Sequence, residues 1–251
     1  MAYLDRSGVN IYYEVHGTGP TVLLSHGYTA TSAMWAGQVD ALGRAFRLVI
    51  WDMRGHGNSD SPDDPKAYSR ALTTADMAAL LDVIDAPSAV IGGLSMGGYM
   101  SLAFNVDYPS RADALMLFDT GPGYRSDDGR AGWNRTAEKR AEQFETQGLA
   151  ALSSSNEVRL SRHRSANGLA LAARGMLAQS DGRVMASLPE IHVPTLVLVG
   201  ALDQPFLAAT DYMAAKIPGA ERVVLDGAGH ASNIDRPKEF NAAVTRFLER
   251  L

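Results

Sequence analysis

The stretch Ala89-Val90-Ile91-Gly92-Gly93-Leu94-Ser95-Met96-Gly97-Gly98 pairs a nucleophilic side chain with the spacing that would expose it. An apolar run ends, Gly93-Leu94-Ser95-Met96-Gly97 makes a turn, and helical spacing follows. This is the G-x-S-x-G nucleophile-elbow pattern in its strand-to-helix context. Such a turn crowds the residues two before and two after the serine, so glycines at 93 and 97 let strand and helix approach. A serine hydroxyl is a weak nucleophile until a base takes its proton, and that base needs an acid to hold it. His230, in Gly227-Ala228-Gly229-His230, lies between the last apolar run and the last helical stretch. Asp203 lies four residues beyond the run Thr195–Val199. Asp119, directly after Leu115–Phe118, is a rival acid for the same histidine, with a cap or hinge role as its other reading. The chemistry such a set performs is acyl transfer through a serine.

A tetrahedral oxyanion needs two preorganised backbone donors. The N–H of Met96, next after the serine, is one candidate. Tyr28, in Ser25-His26-Gly27-Tyr28, is the other, because Gly27 permits the turn that would aim its N–H inward.

Six uninterrupted apolar runs must position these residues: Thr21–Leu24, Leu48–Ile50, Ala89–Ile91, Leu115–Phe118, Thr195–Val199 and Val223–Leu225. Continuous runs are what strands show when a parallel sheet is covered on both faces. Residues 9–16 alternate instead, as an antiparallel edge hairpin would. Helical stretches separate the runs. One opens at Thr73, with Asp76 three residues on as a capping box. Another begins after Gly97-Gly98 and ends before Pro109. The last starts near Pro237 and sets Phe240, Val244, Phe247, Leu248 and Leu251 on one face. The fold class is therefore α/β with a mostly parallel, doubly wound sheet. Loops leaving parallel strand C-termini converge on one edge, which collects Ser95, Asp203 and His230 in that chain order.

From Asp119 to Pro189 the strand–helix rhythm stops, and helical stretches at Arg135–Gln147, Asn156–Arg164 and Ala166–Gln179 take over. We read residues 1–118 and 190–251 as the core and 119–189 as a helical cap inserted between late strands. Trp133 is a candidate for the substrate pocket, with packing of cap on core as its other role. Arg159, Arg162 and His163 share one helical face, and with Arg164 form a basic cluster, either a solvated face or a guide for an anionic substrate.

Composition narrows the rest. The chain has 251 residues, 46% of them hydrophobic and 20% charged, enough for one sizeable core. A net charge of −5 gives no long-range attraction to nucleic acid or anionic lipid, so neither is an expected partner. With no cysteine there is no thiolate nucleophile, thiolate metal site or disulfide, and no cofactor or metal motif occurs. The N-terminus does not read as a signal peptide and no apolar window of about 18 residues appears, so the expected location is cytoplasmic, as monomer or homodimer.

Five pieces then come together: His26-Gly27, Asp52-Met53-Arg54-Gly55-His56-Gly57-Asn58-Ser59, Gly93–Gly98, Gly200-Ala201-Leu202-Asp203 and Gly229-His230. In this order and spacing the chain resembles the α/β-hydrolases over nearly its whole length. In that family the stretch matching Asp52–Ser59 is structural, so His56 is not counted as catalytic. Serine at 95 sets the chain apart from the haloalkane dehalogenase and epoxide hydrolase branches, which need aspartate there. The elbow with a helical cap is similar to that of carboxylesterases and of 3-oxoadipate enol-lactonases. The resemblance implies a serine hydrolase acting on a small carboxylic ester or lactone through an acyl-enzyme. Carbon–carbon bond hydrolases and cofactor-free perhydrolases share the same triad, and a non-catalytic ligand receptor on the same fold is the alternative of another class.

Overall fold

The computed structural model describes residues 1–251. Eight strands form one sheet: β1 (Ala2–Asp5), β2 (Asn10–His16), β3 (Thr21–Ser25), β4 (Arg47–Trp51), β5 (Ala89–Leu94), β6 (Ala112–Phe118), β7 (Thr195–Gly200) and β8 (Glu221–Leu225). Their order is β1-β2-β4-β3-β5-β6-β7-β8. The β1–β2 and β2–β4 pairs are antiparallel, and every other pair is parallel. All six apolar runs lie in strands. The alternating segment forms the hairpin with Ala2–Asp5 and pairs with β4 on its other side, but Ile11, Tyr12 and Tyr13 are buried in succession, not alternately.

The helices are α1 (Ala36–Leu42), α2 (Arg70–Val83), α3 (Met96–Asp107), α4 (Asp127–Gln147), α5 (Asn156–Arg159), α6 (Ala166–Ala172), α7 (Arg183–Ala186), α8 (Gln204–Lys216), α9 (Ser232–Asp235) and α10 (Pro237–Leu248). Strand side chains alternate between two cores. Leu23, Val49, Ile91, Leu115 and Val197 meet α2, α3 and α8 on one face. Val22, Leu48, Val90, Met116 and Leu196 meet Trp35, Leu42, Phe240 and Phe247 on the other. Burial on both faces explains why the strands read as unbroken apolar runs.

Outside residues 119–189, three helix readings need correction. The N-cap of α2 is Ser69, whose Oγ accepts the Leu72 N–H at 3.1 Å, and Thr73 lies inside the helix. Asp76 makes no capping box because it is fully buried against Arg54, at 2.6 and 2.9 Å, and Arg6, at 3.0 Å. The helix after the serine starts at Met96, so Gly97 and Gly98 lie in its first turn. Leu251 is 55% exposed, beyond the end of α10, while Phe240, Val244, Phe247 and Leu248 are buried.

The sheet order reverses at β3: the chain leaves it to form β4 on one side, then crosses over to form β5 on the other. Such a switch point opens a crevice at the strand C-termini. The loops following β3 and β5 flank it, with Ser25 paired to Gly93. Between β6 and β7 the chain forms only helices, α4 to α7 and short turns. Phe144 and Ala141 of α4 pack on Leu169, Ala170 and Ala173 in a small core of their own. No helix is long and apolar enough to cross a membrane.

Candidate active site

Ser95 joins β5 to α3 with φ 56° and ψ −116°, a left-handed conformation rare for a residue with a side chain. Strain of this kind costs about 1–3 kcal/mol and persists only where the surroundings enforce it. Here the Ser95 N–H donates to the Phe118 carbonyl at 2.9 Å, and the Thr120 hydroxyl donates to the Ser95 carbonyl at 2.6 Å. A Cβ on Gly93 would lie 2.5 Å from the Gly97 carbonyl carbon. One on Gly97 would lie 2.2 Å from the Ser25 oxygen of β3. Helix α3 therefore sits directly on the strands, with Ser95 at its N-terminus.

Asp203 and His230 meet. His230 Nδ1 lies 2.8 Å from Asp203 Oδ2, and Asp203 is 4% exposed. The carboxylate can only accept, so Nδ1 carries the proton and Nε2 is left with its lone pair. Burial opposes a charge on His230, but the Asp203 bond and charge, aided by Asp119 and Glu157, outweigh it and raise the imidazole above its ordinary range. The ring stacks on Phe206, centroids 5.0 Å apart. Ser95 and His230 are not hydrogen-bonded to each other in this structure; such bonds often tighten only when substrate is present.

Asp119 does not bond His230. It is fully buried, its Oδ1 accepts the Gly200 N–H at 2.8 Å, and its Oδ2 accepts the Ser232 hydroxyl. It thus ties together the loop carrying Asp203 and the loop carrying His230. Burial pushes its carboxyl up to about 7 despite those two bonds.

The N–H groups of Tyr28 and Met96 have no acceptor within the protein, the second because Met96 is the first residue of α3. The Tyr28 hydroxyl is occupied elsewhere, donating to the Leu169 carbonyl at 2.8 Å. Behind this loop stand three neutral histidines. His26 donates from Nδ1 to the Gly27 carbonyl at 2.7 Å and accepts the Met53 N–H at 2.9 Å; burial lowers its pKa to about 4. Buried His56 packs between the rings of His26 and Tyr28. His163 accepts the Gly57 N–H and donates to the Thr29 carbonyl at 2.9 Å, clipping the inserted segment to the Tyr28 loop.

That placement overturns the expected face of Arg159, Arg162 and His163, since α5 stops at Arg159 and His163 turns inward. Arg162 Nη1 bonds carbonyls of its own segment, and Arg164 bonds Asn58 at 2.8 Å. The stretch expected as Ala166–Gln179 is helical only to Leu177, and its last turn, Ala173–Leu177, is a π-turn. This turn brings Met176 and Leu177 to a cavity of about 70 Å³ that Ser95 and Met96 also line. Trp133 lines it too, its Nε1 donating to the Leu177 carbonyl at 2.8 Å. Phe206 is shared between this cavity and the His230 stack. Tyr99, Thr120, Tyr124, Gln179 and Phe206 were missed in the sequence. Only Tyr99, four residues after Ser95 and so on the same helical face, carried a local signal.

A family model described as alpha/beta hydrolase fold matches residues 20–237. The chain is 28% identical to 3-oxoadipate enol-lactonase 1 of Acinetobacter baylyi, over 98% of this chain and 96% of that protein. The solved enol-lactonase from Burkholderia xenovorans LB400 is 29% identical, with a TM-score of 0.79 over 99% of this chain and 100% of that one. A thermophilic esterase from Thermogutta terrifontis, solved with malate bound, is 28% identical, with a TM-score of 0.83 over 99% and 96%. A match running from the start of the parallel strands to the start of the last helix spans most of the fold, not one motif of it, and the chain belongs to the α/β-hydrolase fold family.

Proposed function

We propose that this protein is a serine hydrolase that cleaves a small carboxylic ester or lactone through an acyl-enzyme on Ser95. The observation that carries the reading is the His230–Asp203 hydrogen bond of 2.8 Å, on a ring that stacks on Phe206 of the cavity lined by Ser95. In this reading His230 Nε2 takes the Ser95 proton as Oγ attacks the carbonyl carbon. Asp203 fixes the tautomer and stabilises the imidazolium. The free N–H groups of Tyr28 and Met96 receive the oxyanion, each donor contributing roughly 10²–10³-fold to turnover. His230 then returns the proton to the leaving oxygen, and water activated by the same ring clears the acyl group. In a lactone the leaving oxygen stays tethered to the acyl chain.

Residues 119–189 act as the cap over the core formed by 1–118 and 190–251, and Trp133 is a pocket wall. The cavity lining is mostly apolar and its volume is only about 70 Å³, which suits a short acyl group. The relatives named as enol-lactonases and an esterase support the same bond class.

The test is hydrolysis of p-nitrophenyl esters from acetate to octanoate by wild type and Ser95→Ala. We expect turnover on the short esters, abolished in the variant, with Tm unchanged. Full activity in Ser95→Ala would remove the nucleophile assignment. An inactive wild type would favour a carbon–carbon substrate or a receptor role.

A further inference from the structure

A second cavity, of about 400 Å³, lies at the N-terminus of α2 and shares Tyr99 and Gln179 with the cavity of Ser95. Arg70, the first residue of α2, lines it. Its side chain is only 10% exposed, yet its guanidinium makes no hydrogen bond at all. Nη1 is buried without a partner, and Nη2 makes only a long ion pair with Asp181 Oδ2 at 3.8 Å, beyond hydrogen-bond reach. Asp181 is already engaged, accepting the Arg183 N–H at 3.0 Å and Arg183 Nε at 2.9 Å. Arg174, also on the wall, is held by Glu138 and Glu145. Arg183 lines the cavity too but is 60% exposed, so Arg70 is the buried cation here whose guanidinium makes no hydrogen bond.

Folded proteins rarely leave a buried charged group without hydrogen bonds, and one ion pair at 3.8 Å offsets the desolvation of Arg70 only in part. More donors stand beside it. Helix α2 has 14 residues, and in its first turn the Leu72 N–H is taken by Ser69, while the N–H groups of Arg70 and Ala71 have no acceptor in the protein. Both residues line the cavity. A guanidinium fork with free helix N-terminal N–H groups is the donor set for a planar or tetrahedral oxyanion. The Tyr99 hydroxyl, on the wall between the cavities, makes no hydrogen bond within the protein, and Gln179 spends its Oε1 on the Tyr124 N–H at 3.1 Å but neither Nε2 proton.

We propose that this cavity is a subsite for a carboxylate or phosphate group, bound by Arg70 and the first turn of α2. The group has two possible sources: the far end of a substrate whose ester lies at Ser95, or a free anion. The first source rests on the serine-hydrolase reading; the subsite itself does not.

The test combines two measurements on the full chain. Calorimetric titration and thermal shift with inorganic phosphate and with glutarate, at millimolar concentration, should show binding to wild type. Arg70→Met should weaken it at least about tenfold, and Arg70→Lys, which keeps the charge but not the fork, should weaken it less. Without anion, Arg70→Met should melt no lower than wild type, since a charge lacking hydrogen bonds has been removed. Kinetics on p-nitrophenyl butyrate and mono-p-nitrophenyl glutarate then separate the sources. A substrate-borne anion gives a KM at least about tenfold lower for the glutarate ester, a preference that Arg70→Met abolishes with the butyrate kcat unchanged. A free anion binds without any such preference. Should neither ester turn over, the ester-hydrolase reading fails while the titrations still decide the subsite. The proposal is overturned if neither anion binds and no preference appears. It is equally overturned if Arg70→Met lowers Tm and alters both esters alike, which would make Arg70 a structural partner of Asp181.

Discussion

His230 carries opposing influences that can be weighed. Burial alone would lower its pKa, and the hydrogen bond and charge of Asp203 more than reverse this. In its proposed role as general base His230 works in its neutral form, so the acid limb of kcat/KM should have its midpoint above the ordinary imidazole value of about 6.5. Asp203→Asn removes the charge and permits the wrong tautomer. We expect kcat to fall about 10⁴-fold and the midpoint to move to lower pH, measured on a p-nitrophenyl ester between pH 5 and 9. A limb at the same pH in both proteins would mean that another group governs it.

Where β5 turns into α3, backbone contact sets the geometry and no side chain can relax it. The Cβ of Gly97→Ala would meet the Ser25 carbonyl of the central strand at 2.2 Å, and a strand paired on both sides cannot retreat. The substitution should cost at least about 3 kcal/mol, lowering Tm by roughly 10 °C and removing activity. Gly219→Ala is the control. Its φ is +71° but nothing lies within 4 Å, so only the left-handed penalty of about 1 kcal/mol applies. Gly97 has no positive φ, so a loss there no larger than that of Gly219→Ala would mean that close approach to the strand adds little. The glycine pattern around Ser95 was legible because crowding leaves a composition signature. The cap of α2 was not. Thr73 and Asp76 have the right spacing, but Arg54 and Arg6, distant in sequence, take the Asp76 carboxylate into the core.

At the level of the whole molecule, Asp119 bonds Gly200 and Ser232, 81 and 113 residues further along the chain, and so joins the loops that carry Asp203 and His230. Its carboxyl, raised to about 7, binds a proton more tightly folded than unfolded, where the value is near 3.8. The stability it contributes is therefore fully present below the unfolded value and is lost as pH rises through about 7. Asp119→Asn keeps an acceptor for Gly200 and offers a donor to Ser232 without the charge. Relative to this variant, wild type should lose on the order of 3 kcal/mol between pH 4 and pH 8, read from urea midpoints at each pH. Parallel curves would mean that the carboxylate stays ionised in the folded protein.

The strands, the two-faced core and the serine turn were readable in the chain because each follows from local rules. A strand buried on both faces must be apolar throughout, and a turn against a sheet must be glycine-flanked. Between residues 119 and 189 the same reading misjudged helix ends. Apolar periodicity marks only the face turned to a large core, and those helices share a small one. His163 behind the Tyr28 loop, Phe206 under His230, Asp119 between two loops and Arg70 beside the Ser95 cavity leave no local trace. Each gains its surroundings from segments far along the chain, and hydrogen bonding and burial at such a point exist only once the sheet has brought its strand ends to one edge.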